Sequence, residues 1–153
     1  MKKVLRLITL AALVTAGAAD AQTTATDAWV RGTVALQTTT GLYVKLTSAD
    51  GGQLVSVSTP LARLAQVHVM SMQGDMMTMR EVPALDLPAG KTVSLDPKGA
   101  HIMLIDVKHT LTAGEIVPIT LVIEGKDKKR ETVLVHARVE ALGSPHHDGM
   151  HTH

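Results

Sequence analysis

The sequence predicts a single all-β domain, built as a sandwich or a barrel. Short apolar or alternating segments recur at roughly ten-residue spacing, with turn-forming residues between them, and this spacing is typical of such folds. No stretch of about ten residues has the periodicity of an amphipathic helix. The length of 153 residues also fits one domain.

Turn residues mark the limits of each predicted strand, because Gly, Pro, Asp and Asn favour turn conformations. The predicted strands are residues 27–33, 41–48, 53–60, 64–72, 76–82, 91–95, 101–107, 116–125 and 131–140. The turns between the later strands are LPAG, DPKGA, TAGE and the charged KDKKR, while ADGG and QGD separate earlier ones. Neither internal repeats nor a second domain are evident from this pattern.

Residues 1–21 are predicted to be a secretory signal. Basic residues precede an apolar segment from about Leu7 to Val14, and the small residues Ala19-Asp20-Ala21 form a cleavage site. A retained membrane anchor is the alternative, but the apolar segment is too short for a spanning helix. Residues 22–142 are therefore expected to form the folded domain, and residues 143–153 a flexible tail rich in His and Met.

Composition excludes several classes of function. The chain contains no cysteine, which rules out thiolate nucleophiles, Cys-ligated zinc and blue-copper electron-transfer sites. Removal of residues 1–21 would take away three basic residues and one acidic residue, so the formal net charge would change from +1 to −1. That charge gives no basic surface for nucleic acid.

Five of the eight methionines lie within residues 67–80, in a predicted hairpin. A two-residue loop at Gly74-Asp75 would place Met70 opposite Met79 and His68 one diagonal step away. A four-residue loop would place His68 directly opposite Met79, whereas a three-residue loop would put them on opposite faces. Since side chains alternate along a strand, an even loop gives one shared face. That face carries His68, Met70, Met72, Met77 and Met79.

A second His–Met pair, His101 and Met103, also shares one face of a predicted strand. A simpler interpretation is that the methionines fill the core of a protein that contains no Phe, and that a histidine on such a strand is only hydrogen-bonded to its neighbours. That interpretation does not explain why the pairing recurs. Thioether sulfur and neutral imidazole together favour Cu(I) over harder cations. The pattern therefore indicates a soft-metal site.

The spacing of these residues resembles the signature of the periplasmic copper chaperones called PCuAC. His68 is followed by ten residues and Met79, then by twenty-one residues and His101-Ile102-Met103. DAWVR, GLYVKL and LTAGEIVPITLVIEG also resemble the family, so the similarity extends from about Asp27 to Val139. One departure is PKGAH, where the family usually has two glycines before the histidine.

The resemblance implies a cupredoxin-like Greek-key β-barrel in which His68, Met79, His101 and Met103 bind Cu(I). It implies a periplasmic metallochaperone rather than an enzyme. The expected partners are subunit II of cytochrome c oxidase, whose CuA centre needs copper, and a Sco-type thiol protein. Copper buffering or copper uptake would use the same site. The alternatives of other classes are a copper monooxygenase and a secreted interaction module without metal.

Further metal ligands are predicted outside this motif. Met70 is the most suitable auxiliary donor by position, and the tail is expected to capture Cu(II), since short His-rich segments often bind metal. A tail with only incidental affinity is the alternative. The tail donors are His146, His147, Met150, His151 and His153.

Overall fold

A computed structural model describes residues 22–144 of the chain. Within that range the secondary structure consists of ten strands. They are β1 (Thr23–Arg31), β2 (Thr39–Ser48), β3 (Gly52–Ser58), β4 (Ala62–Gln73), β5 (Met76–Val82), β6 (Leu85–Leu87), β7 (Thr92–Leu95), β8 (His101–Val107), β9 (Ile116–Gly125) and β10 (Arg130–Glu140). No helix in the described part has the length and apolar character needed to cross a bilayer. The prediction of an all-β domain is confirmed.

The strands form one folded sheet in the order β5-β4-β8-β2-β1-β10-β9-β3-β6, and β7 pairs with β2 outside this path. β1 and β10 pair in parallel, with Arg31 beside Glu140. The other pairings are antiparallel. Strands distant in sequence are therefore neighbours, and β8 lies between β4 and β2.

The core consists of aliphatic side chains on the inner faces of these strands. Fully buried examples are Leu42, Leu46, Leu54, Ile102, Leu104, Ile119, Leu121 and Ile123. Inward residues alternate with outward ones, as the two-residue period of a strand requires. Ile102 points into this core, so its neighbours His101 and Met103 belong to the other face of β8. Core packing thus fixes the direction of both.

Two details differ from the sequence-based expectation. β6 was not predicted, because three residues between Pro83 and Pro88 are too few to show alternation. β1 begins four residues before the predicted start and contains a register shift between Thr26 and Trp29. Asp27 has a positive φ of 51° within that β-bulge. The bulge interrupts the alternation by which a strand is recognised.

The predicted signal segment, residues 1–21, lies outside the described residues. The five tail donors predicted from His146 to His153 also lie outside them. The strands themselves extend from Thr23 to Glu140.

Candidate metal centre

The β4–β5 hairpin has the two-residue loop. Gln73 pairs with Met76 across Gly74-Asp75, and Met70 pairs with Met79. Gly74 has a φ of 61°, whereas Asp75 does not have a positive φ, as in a type II′ turn. The even loop therefore keeps His68 and Met79 on one face of the hairpin, and the other two loop lengths considered are ruled out.

The sheet order brings the second predicted pair against the first. His68 pairs with His101 across β4 and β8, and their ring centroids lie 5.8 Å apart. Nδ1 of His68 lies 3.1 Å from Sδ of Met79. Met103 is two residues beyond His101 on the same face and pairs with Gln66 of β4. All four residues of the motif thus share one face at adjoining positions, and we call them the four-residue site.

Hydrogen bonds indicate which ring nitrogen of each histidine holds a proton. His68 Nε2 lies 3.2 Å from the side-chain oxygen of Gln66, and His101 Nδ1 lies 3.3 Å from the carbonyl oxygen of Gly99. An oxygen acceptor requires a protonated nitrogen, so these two contacts correspond to the tautomers that carry lone pairs on Nδ1 of His68 and Nε2 of His101. In that tautomer of His68, the lone pair of Nδ1 points at the sulfur of Met79. Nδ1 of His68 and Sδ of Met79 would then both offer a lone pair with no proton between them, which suits the binding of one cation by both atoms.

An aromatic group supports the buried side of the site. The Tyr43 ring lies 6.4 Å from the His101 ring and 4.3 Å from Trp29 between centroids. Gly41 provides room for this ring, because a Cβ there would lie 2.6 Å from Cζ of Tyr43. Burial raises the pKa of Tyr43, and the nearby Arg31 lowers it in part. Tyr43 is therefore a neutral phenol near neutral pH.

Exposure changes across the site. His101 is 6% exposed, Met79 is 49% exposed, and His68 and Met103 are intermediate. An ion bound at this site would contact the buried imidazole of His101 on its inner side and would be open to solvent on the side of Met79. The cleft of about 560 Å³ beside Trp29 and Arg31 does not include these residues. The candidate centre is a shallow face of the sheet, not a cavity.

The donor set is neutral and soft. Within residues 22–144, no group of three or more His, Asp or Glu side chains is placed to hold an ion. Hard cations such as Ca²⁺ and Mg²⁺ prefer several oxygen ligands, so this face does not suit them. Imidazole with thioether suits a soft monovalent ion.

Other predicted residues are only partly brought together. Met70 lies beside the site, opposite Met79, whereas Met72 and Met77 form the next pair towards the hairpin tip. A further histidine, His109, which is not among the predicted ligands, lies apart from the site, 3.3 Å from a carboxylate oxygen of Glu115.

Sequence reasoning missed Gln66 and Tyr43. The two-residue period of a strand could have placed Gln66 on the face of His68, since it precedes His68 by two positions. An amide has no metal-binding signal of its own, however. Tyr43 is in a strand that only the fold places beside β8.

Comparison with known proteins identifies relatives. Residues 23–137 match the family described as "Putative lipoprotein LpqE-like". The chain is 33% identical over 95 residues to "Putative lipoprotein Lxx21020" of Leifsonia xyli subsp. xyli (strain CTCB07), which covers 61% of this chain. The matched region is 57% of the length of that relative.

Solved structures share the fold. The apo PCuAC domain of PmoF2 superposes with a TM-score of 0.68 at 25% identity, covering 83% of this chain and 96% of that domain. Apo-DR1885 from Deinococcus radiodurans has a TM-score of 0.59 at 31% identity and covers 92% of this chain and 93% of its own. CuI-DR1885 from the same organism is 34% identical, with a TM-score of 0.58 and coverage of 74% of each chain.

These structures confirm the predicted cupredoxin-like all-β fold. The family match covers more than half of the sequence. The chain therefore belongs to the LpqE-like family, and the resemblance to PCuAC domains inferred from its His and Met spacing is confirmed.

Proposed function

We propose that this protein is an exported metallochaperone that carries one Cu(I) ion on the four-residue site. The observation that carries the proposal is the 3.1 Å approach of Nδ1 of His68 to Sδ of Met79, beside the ring of His101. Met103 supplies the fourth donor from the same face of β8. The Cu(I) form of DR1885, 34% identical to this chain, supports the same ligand.

The donors determine how the ion is held. His68 binds through Nδ1 and His101 through Nε2, because Gln66 and Gly99 occupy the other ring nitrogens. The four ligands are neutral, so none of them compensates the positive charge of Cu(I), and the acidic residue on this face is the exposed Glu81, which pairs with His68. Soft ligands around the ion favour transport over catalysis, which needs an open coordination position for substrate. We therefore assign a carrier role and no enzymatic activity.

An anaerobic Cu(I) titration against a colorimetric chelator tests this assignment. Wild-type protein is expected to take up one tightly bound Cu(I) at this site. Met79→Ala is expected to lower the affinity at least about a hundredfold, since even outer-shell partners of a metal ligand contribute roughly 10–100-fold. Met76→Ala is the matched control, because Met76 is exposed on the same strand but on the opposite face.

Equal loss in both variants, or no competition with the chelator by any form, would refute the carrier role. A protein that does not bind Cu(I) would instead be a secreted interaction module. A titration without residues 143–153 determines whether the tail contributes. Tight binding that disappears with the tail alone would place the site outside the four-residue site.

Export is the second part of the proposal. Residues 1–21 have the features of a cleavable signal, and the relatives are described as lipoproteins. Lipid attachment through a thioether needs cysteine, which these 153 residues lack. We therefore propose a periplasmic protein released by cleavage after Ala21. Mass spectrometry of the protein from a periplasmic extract checks the mature first residue.

Delivery to the CuA centre of cytochrome c oxidase, alone or with a Sco-type partner, is the proposed destination. It rests on the PCuAC resemblance, and copper buffering or uptake would require the same Cu(I) site. Mixing the Cu(I)-loaded protein with a soluble domain of oxidase subunit II distinguishes delivery from buffering or uptake, because delivery moves copper to that domain. Retention of copper by this protein in the presence of that acceptor would favour buffering or uptake.

The tail is proposed as a separate Cu(II) collector, through His146, His147, Met150, His151 and His153. Imidazole binds Cu(II) well, and these residues lie within eight positions. Cu(II) binding that is lost on removal of residues 143–153, with Cu(I) binding unchanged, is the expected result.

A further inference from the structure

The hairpin carries thioethers beyond the four-residue site. Met70 pairs with Met79 and Met72 pairs with Met77, and all four side chains share the face of His68. We call Met70, Met72 and Met77 the methionine cluster. The cluster begins beside Met79 and extends towards the loop at Gly74-Asp75.

Packing does not account for Met72 and Met77, the two members of the cluster nearest the hairpin tip. β4 pairs with β8 only as far as His68, and its later described residues pair with β5 alone. Met72 is 63% exposed and Met77 is 56% exposed, so neither fills the core. Apolar side chains at these positions gain little from burial.

The other face of the same hairpin is chiefly polar. It pairs Ser71 with Thr78, whose hydroxyls lie 3.1 Å apart, Val69 with Arg80, and Gln73 with Met76, so it carries one of the five methionines of the hairpin. Methionine is thus concentrated on the side that continues the four-residue site. A hairpin whose only requirement was solubility would have polar residues on both faces.

We propose that the methionine cluster is a second, weaker site for a soft monovalent ion, at which Cu(I) enters and leaves the protein. This proposal rests on the function proposed above. Directly opposed side chains have Cβ atoms about 4.5–5.5 Å apart, and diagonal neighbours are within reach of long side chains. Thioether sulfur selects Cu(I), and the flexible methionine side chain allows three sulfurs to bind one ion.

The position of the cluster gives it this role. Met72 is four residues from His68, roughly 13 Å along the strand at the usual rise per residue. A partner that contacts the exposed tip would exchange the ion with Met72 and Met77, far from the buried His101. Met70 of the cluster pairs directly with Met79 of the four-residue site, so the two sites adjoin and the ion passes from one sulfur pair to the next.

Silver(I) is a redox-stable probe of thioether sites, and the methionine methyl groups report binding by ¹H–¹³C NMR of the full-length protein. The first equivalent of Ag(I) is expected to shift the methyl signals of Met79 and Met103. The second is expected to shift those of Met70, Met72 and Met77 and to leave Met76 unchanged.

The double variant Met72→Leu/Met77→Leu is expected to lose the second equivalent and to retain the first. It is also expected to transfer Cu(I) more slowly than wild type to a soluble thiol acceptor. Met76→Leu is the control for an exposed sulfur on the other face. Leucine preserves the size and apolar character of each side chain.

Shifts at Met79 and Met103, without shifts at Met72 and Met77 at any equivalent, would overturn the second site alone. A second equivalent that moves the Met150 methyl signal instead would do the same. Absence of shifts at Met79 and Met103 would overturn the proposed function itself. Unchanged transfer by the double variant would refute the entry and exit role.

Discussion

His68 and Met79 are eleven positions apart in the chain, yet Nδ1 of one lies 3.1 Å from Sδ of the other. The two-residue loop and the side-chain alternation of β4 and β5 produce this approach. Gln66 bears on the chemistry of this approach, because its amide oxygen lies 3.2 Å from Nε2 of His68 and can accept a hydrogen bond from Nε2–H, which leaves the lone pair at Nδ1.

Gln66→Leu should therefore weaken Cu(I) binding, although leucine leaves all four proposed ligands in place. We expect a loss of about 10–100-fold, the usual effect of removing an outer-shell partner. Long-range ¹H–¹⁵N NMR of the apo protein should show His68 changing to a mixture of tautomers. Gln66→Glu keeps an oxygen acceptor and should keep the Nε2-protonated form. An unchanged tautomer in Gln66→Leu would contradict this role.

Oxidation of Met79 should abolish Cu(I) loading. Met79 is half exposed, and conversion to the sulfoxide removes its soft donor. Peptide mapping after mild peroxide treatment should show Met79 protected in Cu(I)-loaded protein, whereas Met76 reacts equally with and without copper. Methionine sulfoxide reductases should restore loading. Equal oxidation of Met79 in both forms would argue against its being a ligand.

Tyr43 should make stability depend on alkaline pH. Its pKa is raised by burial, so the folded protein holds the phenolic proton more firmly than the unfolded chain does. The stabilisation is complete below the ordinary tyrosine pKa of about 10 and is lost as pH rises through the folded-state value. Urea unfolding of wild type and Tyr43→Phe at about pH 8 and about pH 11 measures the difference. The variant should lose less stability than wild type over this interval, and parallel losses would contradict the prediction.

Ile102→Ala separates the core from the ligand face. Ile102 is fully buried between His101 and Met103 in sequence, and its truncation should cost about 2–5 kcal/mol in the free energy of unfolding. Leu134→Ala, at a position 72% exposed, should change it by no more than about 0.5 kcal/mol. Denaturant unfolding gives both values. A loss of Cu(I) stoichiometry in folded Ile102→Ala would show that the two faces are not independent.

The sequence predicts the hairpin well because the residues that determine it are close together in the chain. Gly74-Asp75 determines the turn, and alternation then places His68, Met70 and Met79 on one face. The proximity of His101 to His68 is different, because it depends on β8 inserting between β4 and β2. Strand order is decided by packing between distant segments, and here only the family resemblance anticipated it.

The missed features have related causes. β6 is too short to show a period, and the bulge at Asp27 disturbs the period of β1. Gln66 contacts His68, a predicted ligand, so its proposed role becomes visible only once the rotamer of His68 is known. Local chemistry predicted the donors, whereas the residues proposed to orient them required the three-dimensional arrangement.

The parallel pairing of β1 with β10 determines where the last strand ends. Glu140 lies beside Arg31, Val30 beside Leu42, and Gly41 beside Met103, so three strand spacings, about 14 Å, separate Glu140 from the row of Met103. The eleven residues after Leu142 span up to roughly 36 Å when extended. A segment of that length exceeds the distance of about 14 Å, so it is long enough to connect the end of β10 with the row of Met103. Transfer of Cu(II) from the tail to the four-residue site would therefore be intramolecular, and it would need a reductant that supplies one electron, because that site is proposed to hold Cu(I).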